Sequence, residues 1–381
     1  MGGTSTDVSL IDQQPSFTNE GQLAEFPLAI PMLDIHTIGA GGGSIARVDE
    51  AGRLNVGPES AGAVPGPACY GHGGQQATIT DANVVLGRLP ASRALSGGLS
   101  LNMAAAQQAM EKIAHALNSS TRDAAVGIVQ LANAHMVQAL RVISIQRGYD
   151  PAEFNLLPFG GAAGLHMCAV ARELGIRSIV VPVNSGILSA QGMLNAPAGQ
   201  RVTQSLCALW SELTEHSVGQ LIEKLRLRAV RQLESLKLSC TRTSQWLDMR
   251  YRGQSSTISL LWCEDLLTQF QREHEKRFGY CLSVELIELV TLKVWAYHDR
   301  PALQLEGVNQ GMPAQAVDYV CLYEEDTPVP LYLRGQLVAG QAVIGPCIIL
   351  DDAGTHYVEK LWRGRITPEG HIHLQMQEDC P

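Results

Sequence analysis

The start of the chain has the composition of a loop that binds phosphate. Gly2-Gly3-Thr4-Ser5-Thr6 precedes Asp7 and the largely apolar residues 8–11. Glycine has no Cβ, so the backbone N–H groups of such a turn can approach phosphate oxygens closely, and the three hydroxyls add further donors. Asp7 is a catalytic candidate, since its carboxylate could hold the water shell of a metal ion. The alternative is an ordinary polar turn that leads into a strand.

A second glycine turn lies at 160–164, between apolar residues 154–159 and a helical pattern at 165–174. A turn between a strand and the N-terminus of a helix favours anions, because free N–H groups and the helix dipole both point at it. Gly160, Gly161 and Gly164 are therefore candidate contacts for an anionic ligand, and His166 follows directly. The alternative is that these glycines only allow the helix to pack closely on the strand.

A third glycine run, Gly39-Ala40-Gly41-Gly42-Gly43-Ser44, does not match the dinucleotide fingerprint. It reads G-x-G-x-x-S, and no βαβ unit with an acidic residue about 20 positions further on supports it. We therefore reject a Rossmann-type site at this position.

Asp34 and His36 lie two positions apart, so on a strand both side chains face the same side. A carboxylate beside an imidazole could bind a metal ion or relay a proton, and both are catalytic candidates. Cys69 and His72 flank a tight turn and are further possible ligands, although such loops also gain these residues for packing. Asp81 could be a helix cap or an active-site carboxylate. The nine cysteines include no CxxC pair, which argues against structural zinc.

The elements that must position these candidates indicate an α/β fold. Residues 102–118 and 121–147 carry apolar positions at helical spacing, which predicts a hairpin of two long helices packed on a sheet. Residues 154–182 predict a strand, a glycine turn, a helix and a buried parallel strand at 178–182.

Beyond about residue 200 the pattern changes. Residues 218–238 predict an amphipathic helix, residues 245–260 and 283–297 predict strands, and the tail at 317–374 predicts short strands split by Gly and Pro. We therefore expect one domain at 1–200 and a smaller, β-rich α+β domain at 201–381.

Composition excludes several classes of protein. The chain has 381 residues, 45% of them hydrophobic, and a net charge of −9, which argues against nucleic-acid binding. No window approaches the roughly 18–20 uninterrupted apolar residues of a membrane span, so no membrane contact is expected. Scattered cysteines and the lack of a secretory signal predict a cytoplasmic protein.

Several long stretches resemble the hydantoinase A/5-oxoprolinase family, and together they cover nearly the whole chain. They read MGGTSTDVSLI (1–11), DIHTIGAGGGSIARVDEAGRLNVGPESAGAVPGPACYGHGGQQATITDANVVLGRL (34–89), RVISIQRGYDPAEFNLLPFGGAAGLH (141–166), VVPVNSGILSAQGML (180–194), DMRYRGQS (248–255), HEKRFGY (274–280) and GPCIILDDAGT (345–355). The block at 34–89 is highly specific by itself.

The resemblance implies an actin/sugar-kinase-like ATPase core, in which two related halves close over ATP with Mg²⁺. It implies three groups of nucleotide contacts: a second phosphate loop (Gly2, Gly3, Thr4, Ser5, Thr6, with Asp7 beside it), an adenosine loop (Gly160, Gly161, Gly164, then His166) and a turn that lines the cleft (Gly41, Gly42, Gly43).

The same resemblance implies an ATP-dependent hydrolase of cyclic amides that transfers a phosphoryl group to a carbonyl-derived oxygen of the substrate. It also implies a hydantoinase B-type partner subunit. One alternative is the ATP-binding subunit of an acetone/acetophenone-type carboxylase, which takes a ketone. Another is a catalytically inactive remnant that keeps only a partner-binding surface.

Two features depart from the family's pattern. The family's second phosphate loop begins with an Asp just before the position of Met1, and a half-domain with the first phosphate loop precedes it. Because this sequence contains neither, we expect the chain alone to be inactive, with its first half encoded separately, missed by a mis-called start, or lost. The adenosine loop also reads Gly-Ala-Ala-Gly-Leu-His where members often have Gly-Ala-Gly-Pro-Leu-His.

Overall fold

The computed structural model describes residues 1–12, 14–18, 21–23, 26–28, 32–301, 308 and 311–377. The chain divides into two compact units. The first unit combines Met1–Ala190 with Leu305–Pro381, and the second is Gln191–Gln304.

The helices are, in chain order, α1 (Ile79–Val85), α2 (Met103–Ala116), α3 (Thr121–Ile143), α4 (Met167–Glu173), α5 (Leu188–Asn195), α6 (Glu215–Ser235) and α7 (Leu266–Phe278). The strands are β1 (Thr6–Val8), β2 (Ile11–Asp12), β3 (Gln14–Pro15), β4 (Phe17–Thr18), β5 (Gly21–Leu23), β6 (Phe26–Leu28), β7 (Met32–Leu33), β8 (His36–Ile38), β9 (Ser44–Val48), β10 (Leu54–Ser60), β11 (Ser178–Val181), β12 (Ala198–Leu209), β13 (Arg242–Tyr251), β14 (Ile258–Leu261), β15 (Ile287–His298), β16 (Asp318–Val320), β17 (Val329–Leu333), β18 (Ala342–Ile344), β19 (Cys347–Asp351), β20 (Gly354–Val358), β21 (Trp362–Ile366) and β22 (Ile372–Met376).

The predicted helical hairpin is present as α2 and α3. The side chain of Asn102 caps α2 by accepting from Ala105 N, and Ser120 caps α3 by accepting from Asp123 N. The predicted span 121–147 divides into α3 and a 3₁₀ turn, which ends at Gly148 with a φ of 81°. Glycine suits this end because it adopts the left-handed conformation without steric cost.

The stretch Thr121–Arg147 is long and apolar enough, by length and composition alone, to cross a membrane. Six of its apolar residues are buried in the core of the first unit: Ala125, Ile128, Val129, Ala132, Met136 and Val137. Packing within the unit therefore accounts for one side of this helix.

The C-terminal tail joins the first unit, which differs from the expected domains 1–200 and 201–381. Strand β22 pairs antiparallel with β11 in a sheet of order β11-β22-β21-β18. Ile179 and Val181 of β11 and Ile372 and Leu374 of β22 are fully buried, so this pairing encloses apolar surface on both strands. The chain passes from the first unit to the second after Ala190, close to the expected boundary near 200. It returns to the first unit at Leu305.

The expected strand at 154–159 is reduced to a single parallel bridge between Leu156 and Ile179. Pro158 lacks an N–H group, so this segment cannot continue a ladder. The apolar strand predicted at 178–182 is β11, and its ladder is the antiparallel one with β22.

The second unit is an antiparallel sheet of order β12-β15-β13-β14 with α6 packed on it. Helix α6 buries Val218, Ile222, Leu225, Ala229 and Leu233 on one side. Of the apolar side that its sequence predicts (Leu221, Ile222, Leu225, Leu233 and Leu236), Ile222, Leu225 and Leu233 are buried, whereas Leu236 is exposed. The expected strand at 245–260 is two strands, because a turn with Gly253 at a φ of 89° separates β13 from β14.

Asp81 is fully buried near the start of α1, where it belongs to a capping box with Thr78. Its carboxylate accepts from Ala68 N (3.2 Å), Cys69 N (2.7 Å), Thr78 N (3.0 Å) and Thr78 Oγ1 (2.7 Å). All these donors are local, so Asp81 fixes the 67–70 turn against α1.

We expect Asp81→Asn to lower the free energy of unfolding by about 3 kcal/mol, since hydrogen bonds to a buried charge are strong and an amide cannot accept from every donor. Urea unfolding followed by tryptophan fluorescence measures the change. The matched control is Asp123→Asn at the exposed N-terminus of α3, where Asp123 accepts from Ser120 Oγ. A loss at Asp81 no larger than at Asp123 would contradict the prediction.

Candidate functional site

The first and third glycine turns are in direct backbone contact. Gly42 N donates to Gly2 O (2.9 Å) and Gly43 N donates to Gly3 O (2.6 Å). A Cβ on Gly41 would lie 2.5 Å from the backbone of Thr4, so this approach requires glycine.

The second glycine turn contacts the first from another side. Ala162 N donates to Met1 O (3.3 Å), and the amino group of Met1 donates to Phe159 O (2.7 Å). Gly160 has a φ of 83°, and a Cβ there would lie 2.3 Å from Met1 O. The structure therefore brings together all three glycine turns that the sequence singles out.

These turns border a cleft of about 930 Å³ within the first unit. Five of the predicted site residues line it, namely Gly2, Gly3, Gly42, Gly161 and His166. Gly41, Gly43, Gly160 and Gly164 instead make close backbone contacts behind it, as the packing alternative expects.

The hydroxyl residues of the first turn lie outside the set that lines the cleft. Thr4 is exposed, and Ser5 O accepts from Gly2 N (3.0 Å). Thr6 is buried and donates from Oγ1 to Ala40 O (2.5 Å). These bonds shape the turn.

The C-terminal tail supplies a further part of the wall, through residues 333–336 after β17 and residues 350–355 at the turn from β19 to β20. A Cβ on Gly161 would lie 3.2 Å from Ala353 O, and a Cβ on Gly164 would lie 2.2 Å from His356 Nδ1. The second glycine turn therefore packs against this tail. Sequence reasoning assigned no site residue here, although the Asp-Asp-Ala-Gly turn in GPCIILDDAGT was a usable signal.

Helix α1 presents Thr80 and Asn83 to the same cleft. Thr80 donates to Gly42 O from both N and Oγ1, each at 2.8 Å, so α1 fixes the third turn. Asn83 donates to Ile79 O (3.0 Å), and its buried Oδ1 has no hydrogen-bond partner among the described residues.

His166 is 1% exposed and neutral at physiological pH. Burial lowers its pKa to about 3, and the nearby positive charges of Arg88 and the chain's amino group add to this effect. His166 Nδ1 lies 2.7 Å from Asn133 Oδ1, which can only accept, so Nδ1 carries the proton. Nε2 is thus an acceptor, and it has no partner in the described part of the chain.

Arg334 and Asp351 place opposite charges on the wall that the tail supplies. Arg334 Nη2 donates to Gly370 O (2.8 Å) and Val181 O (3.2 Å), whereas Nη1 is buried without a described partner. Burial raises the pKa of Asp351, but His356 and Arg334 outweigh it and hold that pKa below its usual range. Burial lowers the pKa of His356, so that ring is neutral.

None of the three predicted catalytic side chains lines the cleft. Asp7 is exposed on β1 and accepts from Thr37 Oγ1 (2.7 Å). Asp34 forms a two-pronged ion pair with Arg147, and His36 lies on β8 opposite Val8. The structure therefore gives Asp7 and Asp34 local structural partners, and we assign no reaction step to these three residues.

No cluster of three or more His, Cys, Asp or Glu side chains suited to a metal ion occurs within the described residues. Cys69 is buried, which raises the pKa of its thiol, while His72 is exposed.

Comparison with known proteins places these features in a family. A profile described as hydantoinase/oxoprolinase matches residues 1–202. The alpha subunit of caprolactamase from Pseudomonas jessenii is 34% identical over 98% of this chain and 57% of its own length. In the crystal structure of that ATP-dependent caprolactamase, a chain matches with a TM-score of 0.85 at 32% identity, covering 99% of this chain and 58% of that chain.

The chain is also similar to a 5-oxoprolinase of Pestalotiopsis fici, at 33% identity over 98% of this chain and 31% of that protein. The gamma subunit of acetophenone carboxylase from Aromatoleum aromaticum is 30% identical over the full chain and 56% of its own length. The chain thus spans about half the length of caprolactamase subunit alpha and this carboxylase subunit, and about a third of the oxoprolinase.

The neutral state of His166 predicts how stability depends on pH. Its pKa is lowered in the folded state, so the unfolded chain binds a proton below about pH 6.5 that the folded chain does not accept until about pH 3. Stability is therefore fully present above about pH 6.5 and falls as the pH is lowered from there. His356 contributes with the same sign.

His166→Asn should reduce the slope of the unfolding free energy against pH by the equivalent of up to one bound proton. The asparagine keeps a hydrogen-bond partner for Asn133. Urea unfolding at several values between about pH 5 and pH 7 measures the slope. The control is the exposed His72→Asn. Equal slopes for the two variants would show that His166 is charged when folded.

Proposed function

Because the chain belongs to the hydantoinase/oxoprolinase family, we propose that it forms the second half of the nucleotide site of an ATP-dependent hydrolase that acts on cyclic amides. The family profile confirms the resemblance read from the sequence. The mixed α/β fold is confirmed as well, and its likeness to caprolactamase supports a partial ATPase-like core. The observation that carries the proposal is the convergence of three glycine turns on one cleft.

The open side of the first turn supports a bound phosphate chain. A Cβ on Gly2 or Gly3 would meet no atom within 4 Å, so the space in front of both residues is free. The N–H groups of Gly3 and Gly161 have no backbone acceptor in the described part of the chain, so both can donate to an anion. Arg93, which also lines the cleft, adds positive charge.

The neutral ring of His166 supports contact with an uncharged part of the nucleotide. Its free Nε2 can accept from a hydroxyl or amino group, and Asn83 Oδ1 offers a second acceptor in the same cleft. With a pKa of about 3, His166 cannot act as a general acid at neutral pH. We therefore give it a binding role.

The described residues provide no cluster of carboxylates for magnesium. A magnesium ion usually binds through one or two carboxylates together with phosphate oxygens and water. We therefore name no magnesium ligand among the described residues and derive no step through the ion.

In the proposed reaction, ATP supplies the phosphoryl group that converts the amide oxygen of the substrate into a good leaving group. The role of this chain is to hold the nucleotide through the backbone of the glycine turns and to keep charge-stabilising donors oriented. The facing donors would come from the part of the relatives that this chain does not match. A hydantoinase B-type subunit would complete the hydrolysis, a proposal supported by the subunit names of two relatives.

A second candidate function is carboxylation of a ketone, in which the phosphoryl group would activate an enolate oxygen. The match of the whole chain to 56% of a subunit of acetophenone carboxylase favours it. Both functions use the same cleft, and they differ in the molecule that accepts the phosphoryl group.

The test combines residues 1–381 with the N-terminal part of the P. jessenii caprolactamase alpha subunit that this chain does not match, together with the partner subunit of that enzyme. Phosphate release is measured with caprolactam, with 5-oxoproline, and with acetophenone plus bicarbonate. We expect release that depends on a cyclic amide in the mixture and none from the chain alone. Release only with the ketone would favour carboxylation, and none with any acceptor would contradict both functions.

Gly3→Val tests the phosphate contact in the same mixture. We expect affinity for ADP to fall at least about tenfold, equivalent to about 1.4 kcal/mol, because the side chain fills the space in front of the turn. The fold should survive, since no neighbouring atom lies within 4 Å. The control is Gly311→Val, where a Cβ also meets nothing within 4 Å and the residue lies outside the cleft lining. Equal affinities for both variants would refute the assignment.

A further inference from the structure

Two charged side chains of opposite sign line the cleft without forming a direct ion pair. Leu333 pairs with Leu350 in the parallel ladder of β17 and β19, so the next residues, Arg334 and Asp351, lie side by side at the ends of these strands. No contact between them within 4.0 Å occurs among the described residues. Each presents one buried polar atom without a hydrogen-bond partner: Nη1 of Arg334 and Oδ2 of Asp351.

Both groups are held in place by neighbouring backbone. The carbonyls of Val181 and Gly370 fix one nitrogen of the Arg334 guanidinium, which leaves Nη1 as the free donor. Asp352 N donates to Asp351 Oδ1 (2.8 Å), which leaves Oδ2 as the free acceptor. His356 Nε2 is 3.7 Å from this oxygen, too far for a hydrogen bond.

A buried donor and a buried acceptor without partners each cost about 1–3 kcal/mol, which a ligand with matching groups would offset. A simple anion would be attracted by Arg334 but repelled by Asp351, and a simple cation would meet the reverse. The pair therefore suits a neutral group that carries an acceptor next to a donor. The C=O and N–H of a cyclic amide lie on the same side of the ring and form such an edge.

We propose that Arg334 and Asp351 form the subsite that holds the amide edge of the substrate, with Arg334 donating to the carbonyl oxygen and Asp351 accepting from the N–H. This inference rests on the proposed function, and it adds the residues that select the substrate class. The turn at 351–354 lines the cleft beside these two side chains.

Opening of the cyclic amide strengthens the complementarity between the ligand and these two side chains. Hydrolysis adds one water across the amide bond, so that the carbonyl carbon becomes a carboxylate and the nitrogen becomes an ammonium group. The carboxylate then lies against Arg334 and the ammonium against Asp351, and each new charge faces its opposite. The subsite should therefore bind the open amino acid more tightly than the lactam, and the product should inhibit the reaction.

Adenine carries the same neutral edge, formed by its amino group and the neighbouring ring nitrogen. The tail also packs against Gly161, in the turn proposed to hold adenosine. The gain of matched charges on ring opening favours the amide, because adenine undergoes no such change. Titration with lactams and with ADP distinguishes a cyclic amide from adenine as the ligand of this pair.

Isothermal titration of residues 1–381 measures the affinity for caprolactam and 6-aminohexanoate, for 5-oxoproline and glutamate, and for ADP. Asp351→Asn keeps an acceptor for the amide N–H but removes the charge that an ammonium needs. We expect it to weaken binding of the open amino acid about 10- to 100-fold and to change lactam affinity by less than about twofold. Arg334→Gln should weaken both, because it removes the free donor.

Asp326→Asn, at an exposed carboxylate outside the cleft lining, is the matched control and should change none of these affinities. The affinity for ADP should stay the same in all variants, which separates this subsite from the nucleotide contacts of the proposed function. A loss of ADP affinity with unchanged lactam and amino-acid binding would assign the pair to adenine. That result, or equal losses for Asp351→Asn and Asp326→Asn, or no binding of any lactam or amino acid by the unaltered chain, would overturn the proposal.

Discussion

The structure of the first unit depends on the close approach of backbone to backbone between the turns that begin at Gly2, Gly39 and Gly160. A Cβ on Gly41 would lie 2.5 Å from Thr4, and one on Gly160 would lie 2.3 Å from Met1. Side chains at these positions would force the turns apart. Once the turns are in contact, their remaining free N–H groups face the same cleft, which is the condition for gripping a polyanion without many cationic side chains.

Charge in the cleft is arranged by burial. His166 stays neutral because burial lowers its pKa to about 3, whereas Arg334 and Asp351 keep their charges with part of each side chain unsatisfied. Leaving such groups unpaired costs stability, so their concentration at one cleft indicates that binding takes precedence over stability there. Asp81 shows the opposite case, since four donors satisfy its buried carboxylate and it serves only the fold.

The return of the tail to the first unit brings the buried charges Arg334 and Asp351 to the cleft that the glycine turns border. Strand β22 completes the sheet that begins with β11, and the turn at 351–354 lies against Gly161. The C-terminal segment thus contributes to the cleft although it is far from the glycine turns in sequence.

Local signals in the sequence determined the helical hairpin, the amphipathic helix α6, the glycine turns and the family, because each depends on residue periodicity or on a continuous motif. They also identified Gly2, Gly3, Gly42, Gly161 and His166, which line one cleft. Only the tertiary structure decided that Asp34 is paired with Arg147, that the domain boundary is crossed twice, and that Arg334 and Asp351 join the cleft. Those outcomes depend on pairing between distant segments, such as β11 with β22. No short-range pattern encodes which distant segment will pair with a strand, neutralise a charge or line the cleft.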